Sequence, residues 1–288
     1  MQRKSDVCSS AWWEKNCILN KGERQVFNRK VQQILVFAGT TEGRELIEYL
    51  NDFKVQVTAC TATEYGKACI REQENTEVIP GRLEEEKIKA LICEKGIEIV
   101  VDATHPFAMT ATENIRRACQ EVKIPYLRCL RERTKEPDEP QDGVVWVKSV
   151  EQAVESLMKT EGNILIATGS RELYRYTALP NWKERCFARV LSSREAVEEC
   201  IRLGFEGRHL IAMQGPFSKE MNREMLSYAK AEYFVTKESG RAGGFEEKVQ
   251  AAKESQAVLI AIRRPREEGK SPAQIKSYLA EIVARRSL

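Results

Sequence analysis

A chain of 288 residues can bury one large core or two ordinary ones, and its length favours two domains. Hydrophobic residues make up 42% and charged residues 31% of it, and no apolar run approaches the roughly 20 residues of a membrane helix, which excludes a spanning helix. The formal charge of +3, from 46 basic against 43 acidic residues, is too small to imply a nucleic-acid partner, so any anion site has to be local.

Residues 1–31 carry Trp12, Trp13 and many charges but lack the apolar core and small-residue cleavage site of a secretory signal, and they are read as an extension outside the main fold. From Gln33 short β-branched runs alternate with amphipathic stretches, the pattern of an α/β fold with a parallel sheet and helices on its faces. The first half predicts strands at Ile34–Phe37, Val55–Ala59, Ile97–Val101 and Pro125–Leu127, and helices at Glu42–Leu50, Leu83–Cys93 and Met109–Glu121. In the second of these helices Ile88, Leu91 and Ile92 share a face, while Glu84, Glu85, Lys87 and Lys89 point elsewhere.

The stretch Glu132–Gly143 holds Pro137, Pro140 and several charges, which suits neither a helix nor a central strand. It marks the boundary between a first domain over residues 32–135 and a second over 136–288. Beyond it strands are predicted at Val144–Val147, Ile164–Ala167, Phe187–Val190, Leu210–Met213, Tyr233–Val235 and Ala257–Ile262. Ser192 with Glu195, and Ser271 with Gln274 behind Pro272, read as capping boxes that start helices, and Gly204 is placed to end the first of them.

Nine cysteines (Cys8, Cys17, Cys60, Cys69, Cys93, Cys119, Cys129, Cys186, Cys200) form no C-x-x-C pair, and their number is odd. That argues against a disulfide framework and a zinc site, and for reduced, cytosolic thiols used as small core residues. No residue set is assigned to a protein-bound metal.

The segment ILVFAGTTEGR (Ile34–Arg44) runs from an apolar strand straight into a helix, where backbone amides and the helix dipole favour an anion. Gly39 permits a sharp bend and removes a side chain that would block a phosphate; Gly43 allows close helix–strand packing, and Thr40 and Thr41 add hydroxyls. The spacing is not the full G-x-G-x-x-G. The second strand ends in Thr58–Thr63 without the acidic residue that usually holds an adenosine ribose, and Glu64 is the nearest carboxylate, so NADH and NADPH both stay open.

Four more loops follow candidate strands directly: DATHPFA (Asp102–Ala108), ATGSRE (Ala167–Glu172), MQGPF (Met213–Phe217) and TKESGRAGG (Thr236–Gly244). With the Ala38–Arg44 loop, in this order and spacing, the chain from about Val31 to Pro265 resembles the precorrin-6A reductase family, including its cobalt-precorrin-6A branch.

That resemblance implies two Rossmann-like domains with mainly parallel sheets and an interdomain cleft. It implies an oxidoreductase of cobalamin biosynthesis that reduces the C18=C19 double bond of precorrin-6A or cobalt-precorrin-6A: hydride from NADPH or NADH goes to C19 and a proton to C18. The dinucleotide would be held by Gly39, Thr40, Thr41, Glu42, Gly43 and Arg44, with Thr63 and Glu64 near its adenosine end. The tetrapyrrole would be held by Asp102, Thr104, Gly169, Ser170, Arg171, Gln214, Gly215, Ser239, Gly240 and Arg241, whose cations and bare backbone suit a flat polycarboxylate. His105, Lys237 and a bound water are the candidate proton donors, Lys237 doubling as a substrate anchor. A histidine that only bonds within its loop and a Phe217 that only fills the core are equally compatible with the residues. His209, before an apolar strand, is read as structural. Any cobalt would arrive inside the macrocycle. Two other functions keep the same first loop: a dinucleotide-dependent oxidoreductase acting on a smaller substrate, and a non-catalytic dinucleotide or tetrapyrrole sensor.

Overall fold

In this computed structural model the described residues are 31–130 and 143–284, with the backbone alone of two short strands, Cys17–Leu19 (β1) and Gln25–Phe27 (β2), which pair antiparallel. The chain divides into two compact units, one ending at Arg131 and resuming at Glu267, the other comprising Glu132–Arg266.

The first unit is built on strands Gln33–Ala38 (β3), Gln56–Thr61 (β4), Thr76–Pro80 (β5), Ile99–Ala103 (β6) and Tyr126–Arg128 (β7). All pair in parallel, in the order β5-β4-β3-β6-β7. Helices Thr41–Leu50 (α1), Glu64–Ala68 (α2), Glu85–Lys95 (α3) and Met109–Val122 (α4) connect them. Because side chains alternate along a strand, Ile34 and Val36 of β3 meet Leu46, Ile47 and Leu50 of α1, while Leu35 and Phe37 meet Ile88 and Ile92 of α3 and Ile115 of α4 on the other face. A strand buried on both faces has to be apolar throughout, which is why this run lacks polar alternation.

The second unit carries Val144–Val147 (β8), Asn163–Ala167 (β9), Cys186–Val190 (β10), Leu210–Ala212 (β11), Ala231–Lys237 (β12) and Val258–Ile262 (β13). They too are all parallel, in the order β11-β10-β9-β12-β13-β8. Its helices are Val150–Leu157 (α5), Trp182–Arg185 (α6), Arg194–Leu203 (α7), Lys219–Ala229 (α8) and Phe245–Glu254 (α9). Leu165, Phe187, Phe234 and Leu259 of the sheet pack against Met225 and Leu226 of α8 and Phe245, Ala251 and Ala252 of α9.

The last helix, Pro272–Ala284 (α10), corrects the expected extent of the second domain. Ile275, Leu279, Ile282 and Val283 form an i, i+4, i+7, i+8 stripe buried in the same core as α1 and β3. Leu130 N donates to Lys270 O at 2.9 Å and Lys270 N to Arg128 O at 2.8 Å, so the chain rejoins the first unit beside β7. Covering the open face of the first sheet buries that stripe, which outweighs continuity in sequence.

Predicted strands and helices fall within a few residues of those observed, and the α/β class with two mainly parallel, Rossmann-like sheets is as expected. The strand β5 and the helix α2 were not anticipated: β5 is an edge strand ending in Pro80, and α2 is too short to show a period. Ser193, not Ser192, caps α7, its Oγ accepting from Ala196 N at 3.3 Å. The Ser271–Gln274 box closes in both directions, Ser271 N donating to Gln274 Oε1 (3.0 Å) and Gln274 N to Ser271 Oγ (3.3 Å). Gly204 ends α7 with φ of 93°. No helix among the described residues is long and apolar enough to cross a membrane.

Leu279→Ala is expected to destabilise the protein by about 2–5 kcal/mol, the cost of a large-to-small change at a closed core site. Urea unfolding measures it, and a loss below about 1 kcal/mol would contradict the packing of α10 on the first sheet.

Candidate functional site

The strand order of the first unit reverses between β3 and β6, and the helices that follow them, α1 and α4, pack on opposite faces of the sheet. Loops at such a reversal diverge and leave a crevice at the carboxyl ends of the strands, the usual ligand position in open α/β sheets. Here the two loops touch through backbone. Gly39 N and Thr40 Oγ1 both donate to Ala103 O, at 3.3 and 3.0 Å. A Cβ on Gly39 would lie 3.2 Å from Thr104 Cα and 3.3 Å from His105 N, so a side chain there would press on the backbone of the second loop. At Gly43 a Cβ would stand 2.9 Å from Ala38 Cα and 3.1 Å from Ala103 Cβ, and its absence lets α1 lie directly on the strands.

The N-cap of α1 is Thr40, whose Oγ1 accepts from Gly43 N at 3.3 Å, and Arg44 N closes the first helical bond on Thr40 O. The Thr40 hydroxyl proton is therefore directed to Ala103 O and the Gly43 amide to Thr40 Oγ1, so both groups shape the turn. Thr41 and Glu42 supply the remaining first-turn amides. Thr41 Oγ1 accepts from Arg44 Nη2 at 3.1 Å and keeps its own proton to give. At the end of β4, Thr63 caps α2 by accepting from Gly66 N at 3.1 Å, which sets Glu64 in the first turn and leaves Tyr65 exposed beside it.

Asp102, expected to touch substrate, is wholly buried and fully bonded inside the protein. Its Oδ1 accepts from Thr104 N (2.9 Å), Thr104 Oγ1 (2.7 Å) and Arg128 Nη1 (3.1 Å), and its Oδ2 from Tyr126 OH (2.9 Å). With four donors on its two oxygens it acts on any ligand only through the loop it shapes. Arg128 completes the network by donating to Thr104 O (3.0 Å) and, through Nε, to Glu267 Oε2 (2.6 Å), which ties the returning segment to the loop. Burial, then the Asp102 charge and hydrogen bond, push the Tyr126 phenol well above its ordinary range. Sequence reasoning missed Arg128 and Tyr126. The signal was a charged residue closing an apolar strand beside one that ends in Asp.

His105 follows directly. Its Nδ1 accepts from Phe107 N at 3.3 Å, so a neutral ring carries its proton on Nε2, and its carbonyl holds Ala108 N at 2.7 Å. His209 has the structural role read for it: Nδ1 lies 3.0 Å from Cys186 O and the ring stacks on Phe187.

In the second unit the order reverses between β9 and β12. The loops after those strands meet where Lys237 Nζ donates to Glu172 Oε2 at 2.7 Å. Gly169 and Ser170 form the turn leading into a short 3-10 stretch, with Ser170 O accepting from Leu173 N, and Arg171 is exposed. Ser239 Oγ donates to Gly243 O at 2.9 Å, and Gly240 is left-handed with φ of 67°. Arg241 opens the turn Arg241–Gly243, and its side chain lies outside the described residues. Gln214 is exposed, its Nε2 donating to Gly215 O. Phe217 packs on the core with the Arg189 guanidinium 4.6 Å above its ring, which favours the core-filling reading.

Two buried cations were not foreseen. Arg189 Nη1 donates to Asn222 Oδ1 at 2.7 Å, and burial lowers its guanidinium to about 10. Lys248 donates to Ser239 Oγ (3.2 Å) and Gly243 O (3.1 Å); burial, and then repulsion from Arg189 against the weaker pull of Glu247, lower its amine to about 7. Its place on the α9 stripe with Phe245, Ala251 and Ala252 was the available clue. Of the cysteines, Cys60, Cys119, Cys129, Cys186 and Cys200 are buried, and burial raises their thiols to about 11 or 12; Cys8 and the Cys17 side chain lie outside the described residues.

Parallel sheets with glycine-bearing loops gathered at each reversal of strand order define a Rossmann-type, ligand-binding α/β protein. The family profile described as Precorrin-6x reductase CbiJ/CobK matches residues 33–284, and the chain belongs to that family. It is 36% identical over 240 residues to a cobalt-precorrin-6A reductase of Methanothermobacter thermautotrophicus, covering 82% of this chain and 78% of the relative. The Priestia megaterium protein of the same name is 36% identical over 237 residues, covering 82% and 91%. A solved structure titled CobK precorrin-6A reductase superposes with a TM-score of 0.67 at 23% identity, covering 88% of this chain and 98% of that one, a likeness of fold.

Asp102→Ala is expected to cost about 3–5 kcal/mol by removing one of the two carboxylates that meet the buried Arg128 and leaving the Tyr126 hydroxyl and the Thr104 donors without their acceptor. Chemical denaturation tests this; a near-neutral result would mean that the network does not hold the loop.

Proposed function

We propose that this chain reduces the C18=C19 bond of precorrin-6A or cobalt-precorrin-6A with NADPH or NADH, in the cytoplasm and with no nucleic-acid or membrane partner. Membership of the family supports the reaction. The observation that carries the cofactor assignment is the strand–glycine–helix turn at the reversal of strand order, where Gly39 lets the two loops close on each other and the first-turn amides of α1 stand at the carboxyl end of β3. The first-turn amides of Thr41 and Glu42, with the Thr41 hydroxyl, receive the phosphates; Arg44 stands beside them, and Thr63 and Glu64 take the adenosine end. Buried, free thiols suit a reducing compartment.

The bound nicotinamide supplies the hydride for C19, so the chain's own work is to bind, orient and protonate. Carboxylate arms of the macrocycle are received by Arg171, Lys237 and Arg241, with Ser170, Gln214 and Ser239 as hydrogen-bonding groups and Gly169, Gly215 and Gly240 as bare backbone. Thr104 presents the edge of the Asp102–Ala108 loop. Proton delivery to C18 falls to His105 acting as an imidazolium through Nε2, the ring nitrogen that does not face Phe107 N, and returning to the neutral imidazole, with Lys237 as the second candidate.

Gly39→Ala should weaken nucleotide binding by at least about tenfold in a fluorescence titration, because the new methyl keeps the two loops from closing on each other. Unchanged affinity would remove the phosphate-loop assignment. In an anaerobic assay comparing NADPH with NADH and metal-free with cobalt-loaded substrate, Lys237→Ala should raise KM for the macrocycle about tenfold and leave that for the nucleotide nearly constant. Equal effects on both would argue against anchoring by Lys237, and nucleotide binding without oxidation would favour a sensor.

A further inference from the structure

Lys248 is a buried amine in the second unit with no carboxylate among the described residues bonded to it. Arg189 repels it more strongly than Glu247 attracts it, and Glu247 makes no hydrogen bond to it. An apolar residue on the α9 stripe would pack there without the desolvation penalty of an amine. What the amine does make is two bonds to one turn. Nζ donates to Ser239 Oγ at 3.2 Å and to Gly243 O at 3.1 Å, and Ser239 Oγ donates to the same Gly243 O at 2.9 Å. The triangle closes the turn from beneath. Within it Gly243 N and Phe245 N both donate to Gly240 O, at 3.1 and 3.3 Å, so backbone bonds and the Lys248 amine act on the same turn.

We infer that Lys248 is the positioning residue of the substrate turn: by gripping Ser239 and Gly243 from below, it holds the Ser239–Gly244 backbone in the shape that receives a tetrapyrrole carboxylate. The inference rests on the reading of the Thr236–Gly244 loop as a substrate anchor. Lys248 itself touches no reacting atom. Its amine directs the Ser239 proton onto Gly243 O, which sets the hydroxyl, and fixes the direction of the carbonyl that Gly243 turns inward. Losing those bonds would release the turn while leaving the apolar stripe of α9 intact.

The test is steady-state kinetics of the full-length enzyme with cobalt-precorrin-6A and NADPH, comparing wild type with Lys248→Met, Ser239→Ala, the double variant and Lys237→Ala. Lys248→Met should raise KM for the tetrapyrrole about tenfold with KM for NADPH changed less than about twofold, and with no fall in thermal midpoint. In the Ser239→Ala background the same change should add less than about twofold, because both side chains act through one turn. If Lys237→Ala raises the tetrapyrrole KM and Lys248→Met does not, the inference is overturned while the anchoring loop stands. If neither changes it, the loop reading fails and the role of Lys248 with it. A Met variant that does not fold, or that loses affinity for both substrates equally, makes Lys248 a structural residue and also overturns the inference.

Discussion

The loop face of the first unit depends on one close approach: the backbone of Gly39 lies against that of Thr104 and His105 at the point where strand order reverses. Parallel strands need crossovers, and crossovers that leave in opposite directions open a gap that only backbone can line tightly. Gly39 keeps the gap clear of side chains, Gly43 lets α1 settle onto the sheet, and Ala103 O anchors both Gly39 N and Thr40 Oγ1. Beneath it, Asp102 sets the height of the second loop through its bonds to Thr104, Arg128 and Tyr126. The exposed edge of the loop is thus held by polar groups buried beneath it.

The second unit repeats the topology with different equipment. Its reversal, between β9 and β12, gathers cationic and hydroxyl side chains where the first unit gathers glycine and amides. Lys237 sits on Glu172, so a substrate carboxylate would have to compete with that carboxylate or share the ammonium with it. Beneath the surface Arg189 and Lys248 are buried together, at an electrostatic cost that apolar replacements would avoid. Amides at a helix start suit a phosphate, whose charge is compact; separated cations suit carboxylates spread around a disc.

Most of the architecture was legible because period and apolar runs are local signals. Ile34–Phe37 could hardly be anything but a buried strand, and Ser271, Pro272 and Gln274 announced the start of α10. What was not legible was where α10 docks, since Ile275, Leu279 and Ile282 would suit either sheet and only the uncovered face of the first decides. The site divides the same way. The glycine and cation loops stand out as strings, whereas Asp102 as an interior residue, Arg128 as its partner and Lys248 as the support of a turn arise from pairings between distant segments. Lys248 shows the difference most clearly: a lysine on an apolar stripe was visible, but its reason lies in Ser239 and Gly243.

Hydrogen exchange on the full-length protein tests the central claim most directly. Adding NADPH should slow exchange of amides in residues 39–44 and 104–106, and adding cobalt-precorrin-6A should slow those in 169–172 and 237–244, since these loops stand at the carboxyl ends of the strands. Protection by NADPH confined to the opposite ends of the strands, around residues 53–55 and 96–98, would contradict the account.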